Sequence, residues 1–308
     1  WVVLALYTLA FFAAGVVTPG LSHLTLGLAP DGRRGAFFAR KDITAVCVNS
    51  AATLVMGRQL DYFTRIGRPE AGYLLIGAVC AALAILDALL LGLVRENPVA
   101  FVSKLRPADI LRPVRDKSYR PLLLYCILGG LPGGLSTPFL SVYELRVLNL
   151  SHSFITTVGV VSAVAGMAGS WYWGRLADAA GWRRVIWLTA AINLSCTLGW
   201  AFVRPSWAPF MAPILMVATA ACSGGASIAS MNLQFVSSPE NAKTTYIGVT
   251  SATASIAACL SASVGTTLQP LLQNVLGNSS IPCLFLLAAA LGFANLAVNG
   301  RKLPNNKS

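Results

Sequence analysis

Of the 308 residues, 56% are hydrophobic and 11% charged, with a mean hydropathy of +0.67. That is less than half the roughly 25% charge of a soluble domain, so the chain is read as a polytopic membrane protein. The formal net charge of +12 does not point to nucleic acid, because a nucleic-acid binder gathers Lys and Arg on one folded face, whereas here they fall in short bursts between apolar runs. Loops facing an anionic leaflet account for the excess, with membrane lipids as the partner and no nucleic acid.

A membrane helix needs about 20 mostly apolar residues, since in hydrocarbon the backbone must satisfy its own hydrogen bonds. Nine segments qualify, near residues 1–22, 43–63, 71–94, 121–143, 153–173, 185–203, 208–233, 245–269 and 281–299. The first has no basic n-region and no small-residue cleavage site, so it reads as a span and not as a signal peptide. The uncharged stretch 244–300 is too long for one span and is interrupted at Gln269 and Pro270 and again at Gly277, Asn278, Ser279 and Ser280, which predicts two helices joined by a neutral turn.

Alternate connections hold 18 of the 23 Lys and Arg, while the others hold only Arg58, Arg65, Arg68, Arg146 and Arg204. The positive-inside rule then places residue 1 outside and the connection around Gly174 and the C-terminus in the cytoplasm. The longest connection, 95–120, is basic and contains Pro98, Pro107 and Pro113, which makes it the boundary between two halves. The expected division is therefore a partial bundle at 1–94, a cytoplasmic linker at 95–120, a six-helix bundle at 121–300 and a tail at 301–308. Within the linker, PADILRP reads as plain connection in preference to a surface helix. The seven cysteines (Cys47, Cys80, Cys126, Cys196, Cys222, Cys259, Cys283) show no CxxC spacing and lie in apolar runs, as small buried or lipid-facing side chains.

A repeat supports two halves. APDGRRGAFFA (29–39) and SPENAKTTYIG (238–248) share an acidic residue after the proline (Asp31, Glu240), a later basic one (Arg34, Lys243) and an aromatic (Phe37, Tyr246). Pro30 and Pro239 stand 209 residues apart (239 − 30), as do Gly15 and Gly224, and RENP at 95–98 meets RKLP at 301–304 at a similar offset. A parallel duplication of the transporter kind follows. At that offset the first half would begin before residue 1, so about three N-terminal helices are expected to be missing and the fragment to be inactive alone.

The stretch GRLADAAGWRR (174–184) lies between two spans of the second half. Its Gly174, Asp178, Gly181, Arg183 and Arg184 resemble the loop signature of the major facilitator superfamily, with departures at Ala179 and Trp182, where basic residues are common. The loops at Pro30 and Pro239 resemble the equivalent elements of that family between helices four and five and between ten and eleven. The resemblance covers essentially the whole chain as helices four to twelve of twelve, an all-α membrane bundle. It implies that this loop braces the cytoplasmic side in one state and releases it in another. The two glycines would permit a tight turn and close helix approach, and Asp178 would face a helix N-terminus.

Ionisable residues inside spans are functional candidates because they are costly there. Asp87 in AILDALLL is the one such residue well inside a run, with snorkelling or pairing to Arg95 as the structural alternative. Arg58 and Asp61, three apart on one face, read as an internal ion pair. LGGLPGGLSTP (128–138) carries Gly129, Gly130, Pro132, Gly133, Gly134 and Pro138. It must bend where proline removes a donor, and it forms either an outer gate, with Tyr143 and Glu144 at the mouth, or a small-residue packing face. The resemblance implies a polar cavity lining of Tyr7, Asn49, Tyr125, Ser136, Thr137, Ser223, Ser227, Asn232 and Thr253, each with interhelical hydrogen bonding as the alternative.

His23 and His152 lie at span ends without acidic neighbours, so no metal site is expected. With no phosphate loop, nucleophile elbow, HExxH or nucleotide signature, neither an enzyme nor a cofactor is expected. ITAVCVNSAATLVMG (43–57) lacks the glycine-proline motif of many drug-proton antiporters. The expectation is a monomeric, multi-pass secondary transporter of the cell membrane that moves a small-molecule substrate by alternating access. A gradient drives it, with protons the first choice of coupling ion. The rival is a membrane sensor or scaffold that keeps the fold without transporting.

Overall fold

The computed structural model describes residues 9, 34–93, 111–239 and 242–303, and among them there is no strand. The chain divides into two units, Trp1–Lys104 and Leu105–Ser308. In the first, α1 (Arg34–Arg65) and α2 (Pro69–Gly92) pack on each other. The turn between them closes because Gly67 adopts φ +72°, a left-handed conformation open to glycine, and Pro69 suits the start of α2. Gly72 lets the helices approach, since a Cβ there would press on Phe63, and Gln59 Nε2 donates to Gly72 O at 3.3 Å.

The second unit begins with the one-turn helix α3 (Arg112–Arg115), followed by α4 (Arg120–Val142), which runs on into a wide π-helical turn at Tyr143–Val147. Then come α5 (His152–Ala180), α6 (Trp182–Trp200), α7 (Ala208–Ser237), α8 (Lys243–Leu276) and α9 (Ser280–Val298). Two pairs dominate the packing, α4 with α8 and α5 with α7, while α6 lies on α7, and α9 contacts α4 and α6.

Lipid is as apolar as leucine, so helices in a membrane associate through close backbone approach and hydrogen bonds. Gly130 and Gly134 of α4 stand against the backbone of Ala254 and Ala258 of α8, where any added Cβ would collide, and Ser261 Oγ donates to Leu131 O at 2.7 Å. The other pair repeats the device. Gly169 abuts the Ala221 backbone, Gly224 abuts Gly166 and Ser170, and Gly225 carries the Trp173 ring, whose Nε1 donates to Ala221 O at 3.1 Å. Two apolar clusters close the ends of this bundle, one around Tyr119, Val185, Leu233 and Tyr246, the other around Tyr143, Trp200, Ala208 and Phe285.

Among the described residues, six helical segments are long and apolar enough to cross a membrane: Pro69–Gly92, Arg120–Val147, His152–Ala177, Ala208–Ser237, Thr245–Leu276 and Ser280–Lys302. The fold is an all-α membrane helical bundle. Of the nine expected spans, 1–22 lies outside the described residues apart from Leu9, which is helical. The spans 43–63 and 185–203 are helical, as parts of α1 and α6, but are not among the six. Arg58, Asp61 and Arg65 interrupt the apolar character of α1, and the 19-residue α6 opens on Arg183 and Arg184.

Two expected breaks are corrected. Pro270 lies inside α8 and does not end it, because a membrane helix tolerates the loss of one donor where side chains and neighbours re-satisfy the backbone. The break falls at Gly277 alone, at φ +56°, leading into a short 3-10 turn, Gly277–Ser279. The stretch 174–184 is not an open loop either: α5 continues to Ala180 and α6 starts at Trp182, so a single glycine joins them. The end of the linker folds as α3, with Pro113 buried, whereas 95–110 lies outside the described residues.

Candidate functional site

A cavity of about 370 Å³ opens among four helices of the second unit. Its walls are Tyr125, Cys126, Gly129 and Gly130 of α4, Ile186 and Ala190 of α6, Ala226, Ser230 and Gln234 of α7, and Thr250, Ser251 and Ala254 of α8. The space exists because five of these twelve positions are glycine or alanine, and none carries a charge.

At one end the cavity is braced by hydrogen bonds. Buried Tyr119 shares a hydrogen bond with Thr250 Oγ1 at 2.9 Å and meets the Tyr246 ring edge-on at 4.8 Å. Tyr246 donates to Asp116 Oδ2 at 3.1 Å, and Asp116 Oδ1 accepts from the Ser118 amide at 2.9 Å. Burial pushes the Tyr119 hydroxyl up from its ordinary value, although its bond to Thr250 pulls the other way. On the α4 side, Asn295 Nδ2 donates to Tyr125 O at 3.1 Å and is itself held by Asn299 at 2.9 Å. Gln234 Nε2 donates to Ser230 Oγ at 3.1 Å, but Gln234 Oε1 is buried with no hydrogen-bond partner among the described residues.

Of the expected cavity residues, Tyr125 stands in this wall. Ser136, Asn232 and Thr253 are turned to their own helices, donating to Pro132 O at 2.8 Å, Ile228 O at 2.9 Å and Val249 O at 2.7 Å. Ser223, Ser227 and Thr137 are exposed on the second unit. Asn49 of α1 and Asp87 of α2 are exposed on the first, and Tyr7 lies outside the described residues. Ser223 and Ser227 share a face of α7 with Ser230 and Gln234, at spacings of four, three and four, which is one helical stripe. That spacing was the available signal for Ser230 and Gln234, which sequence reasoning passed over. Thr250 and Ser251 carried none, because α8 is rich in small polar residues on every side.

The glycines of α4 separate by role. Gly130 and Gly134 are contact surfaces, Gly129 borders the cavity near Asn295, and a Cβ on Gly133 would meet nothing within 4 Å. Pro132 is buried and Pro138 exposed, and the helix runs unbroken through both.

In the joint between α5 and α6, Gly181 takes φ +86° and its amide donates to Ala177 O at 2.8 Å. Gly174 lies within α5, and among the described residues nothing lies within 4 Å of a Cβ placed there. Asp178 occupies a helical position in α5. Arg183 Nη2 donates to Arg301 O, tying the joint to the chain end, while Arg184 is exposed. Arg175 lies over the Trp171 ring at 3.9 Å, as a cation on an aromatic face.

The family model of the Major Facilitator Superfamily matches residues 1–262. No curated protein matches the chain. The match takes in most of the sequence, including every residue that lines the cavity. The chain therefore belongs to the Major Facilitator Superfamily, as a multi-pass membrane transporter of that kind.

Proposed function

We propose that the protein is a secondary transporter that carries a small solute by alternating access, powered by a gradient, with protons as the first coupling ion to test. The observation that carries this reading is a small, polar, uncovered face on an otherwise tightly packed unit. Gly129, Gly133 and Thr137 of α4 and Ser223 and Ser227 of α7 are all exposed; Gly129 borders the cavity, and Ser223 and Ser227 lie on the same stripe of α7 as its wall residues Ser230 and Gln234. A rigid block with such a face suits one wall of a route that a second block opens and closes. The glycine contacts between α4 and α8 and between α5 and α7 supply the rigidity.

In this reading the bundle 121–300 moves as a body against 1–94, with 95–120 as the tether. Gly181 and the bond from Arg183 to Arg301 form a cytoplasmic brace that holds the α5–α6 joint to the chain end. The protein acts as a monomer in the cell membrane with its C-terminus in the cytoplasm. Reconstitution of the purified full-length protein into proteoliposomes tests the reading. Uptake that depends on an imposed gradient and stops when the gradient is collapsed is the expected result. Saturable binding with no flux under any gradient would replace it with a sensor.

A further inference from the structure

We propose that the cavity beside Gln234 is the binding site for an uncharged solute rich in hydrogen-bonding groups, and that it excludes carboxylates, phosphates and amines. The inference rests on the transporter reading and adds the class of substrate. Gln234 is 9% exposed, and its Oε1 has no donor among the described residues. A buried amide oxygen without a donor loses its hydration and gains nothing in exchange, so a group of this kind is retained where a partner arrives from outside. If the amide is turned over, the nitrogen becomes the unpaired end, so in either orientation the side chain lacks one partner.

The neighbouring hydroxyls divide into engaged and available. Thr250 Oγ1 is engaged by Tyr119 and by Tyr246 O at 2.8 Å. The Tyr125 hydroxyl has no partner among the described residues, whereas Ser230 accepts from Gln234 at 3.1 Å and its hydroxyl also bonds Cys126. These groups offer both donors and acceptors over a span suited to several hydroxyls or amides on one solute. Ile186 and the Tyr125 ring cover its apolar faces.

Charge is what the site lacks. No Asp, Glu, Lys or Arg occurs from 185 to 203, from 205 to 239 or from 244 to 300, which covers all of α7 and all but the first residues of α6 and α8; Arg183 and Arg184 at the start of α6 and Lys243 at the start of α8 do not line the cavity. The acidic group nearest in the bracing network, Asp116, is already bound to Tyr246 and to the Ser118 amide. An ion entering this wall would lose its hydration without a counter-charge, a cost far above that of a hydrogen-bonded neutral group. At about 370 Å³ the cavity is near the lower end for ligand pockets, so the solute is small.

The experiment uses three probes of like size on the purified full-length protein in detergent: glucose as the neutral solute, gluconate as the anion and glucosamine as the cation. Binding is read by thermal stabilisation and by protection of Cys126, a wall residue, from alkylation measured at peptide level. Glucose is expected to stabilise and protect, with the two ions at least tenfold weaker. Gln234→Leu should weaken glucose at least tenfold, and Tyr125→Phe, which keeps the ring and so the packing, should weaken it severalfold. Equal or tighter binding of either ion overturns the proposal. So does binding unaffected by both substitutions, or no binding of glucose at 10 mM-scale concentration. Glucose binding without flux in proteoliposomes would overturn the transport reading and leave this site standing. Flux of an ion, unchanged in Gln234→Leu, would do the reverse.

Discussion

At the residue scale, glycines that look alike in LGGLPGGLSTP have opposite physical roles. Gly134 faces the Ala258 backbone, which cannot yield as a flexible side chain can, whereas Gly133 faces open space. Gly134→Leu is expected to cost about 1–3 kcal/mol or more through overpacking of the α4–α8 contact. Gly133→Ala should be neutral or stabilising by up to about 1 kcal/mol, because alanine suits a helix interior better. Thermal unfolding in detergent checks both, and equal losses would contradict the assignment of the contact. Glu144 makes a second case: it is 3% exposed in the wide turn after α4, and its Oε1 has no partner among the described residues. An unpaired buried carboxylate gives no stability to lose, so Glu144→Gln should leave the melting temperature unchanged or raised. A fall of several degrees would reveal an interaction that the carboxylate makes.

At the element scale, the joint between α5 and α6 sharpens the resemblance that drew attention to it. Gly174 and Gly181 both belong to the motif, yet only Gly181 adopts a positive φ. Gly181→Ala should therefore destabilise by about 1–2 kcal/mol, since a Cβ disfavours that backbone region. Gly174→Ala, inside a helix with room for the methyl, should be neutral or gain up to about 1 kcal/mol. Melting curves of the two variants side by side test the claim, and a larger loss at Gly174 would sink it. The element boundaries were legible to within a few residues for most spans because most apolar runs are bracketed by charge or proline, the uncharged joint at Gly277 excepted. Pro270 misled for a local reason: in water a proline usually ends a helix, and inside a bundle it need not.

At the scale of the whole molecule, the uneven placement of Lys and Arg argues for a C-terminus in the cytoplasm. A protease-sensitive tag after Ser308 is expected to survive in intact cells and to be cleaved only after permeabilisation. Cleavage in intact cells would invert the topology. Membrane residence, an all-helical fold and family membership could be determined from sequence alone, because hydropathy summed over about 20 residues is a local, additive quantity. The cavity could not. Its walls are drawn from α4, α6, α7 and α8, and helices that are apolar or small on nearly every side carry no strong stripe to say which face meets which neighbour. Only tertiary packing, through the collisions that Gly130, Gly134, Gly169 and Gly224 avoid, sets the rotation of each helix. That rotation brings Tyr125, Ser230 and Gln234 around one space while Ser136 and Thr253 turn back to their own backbones.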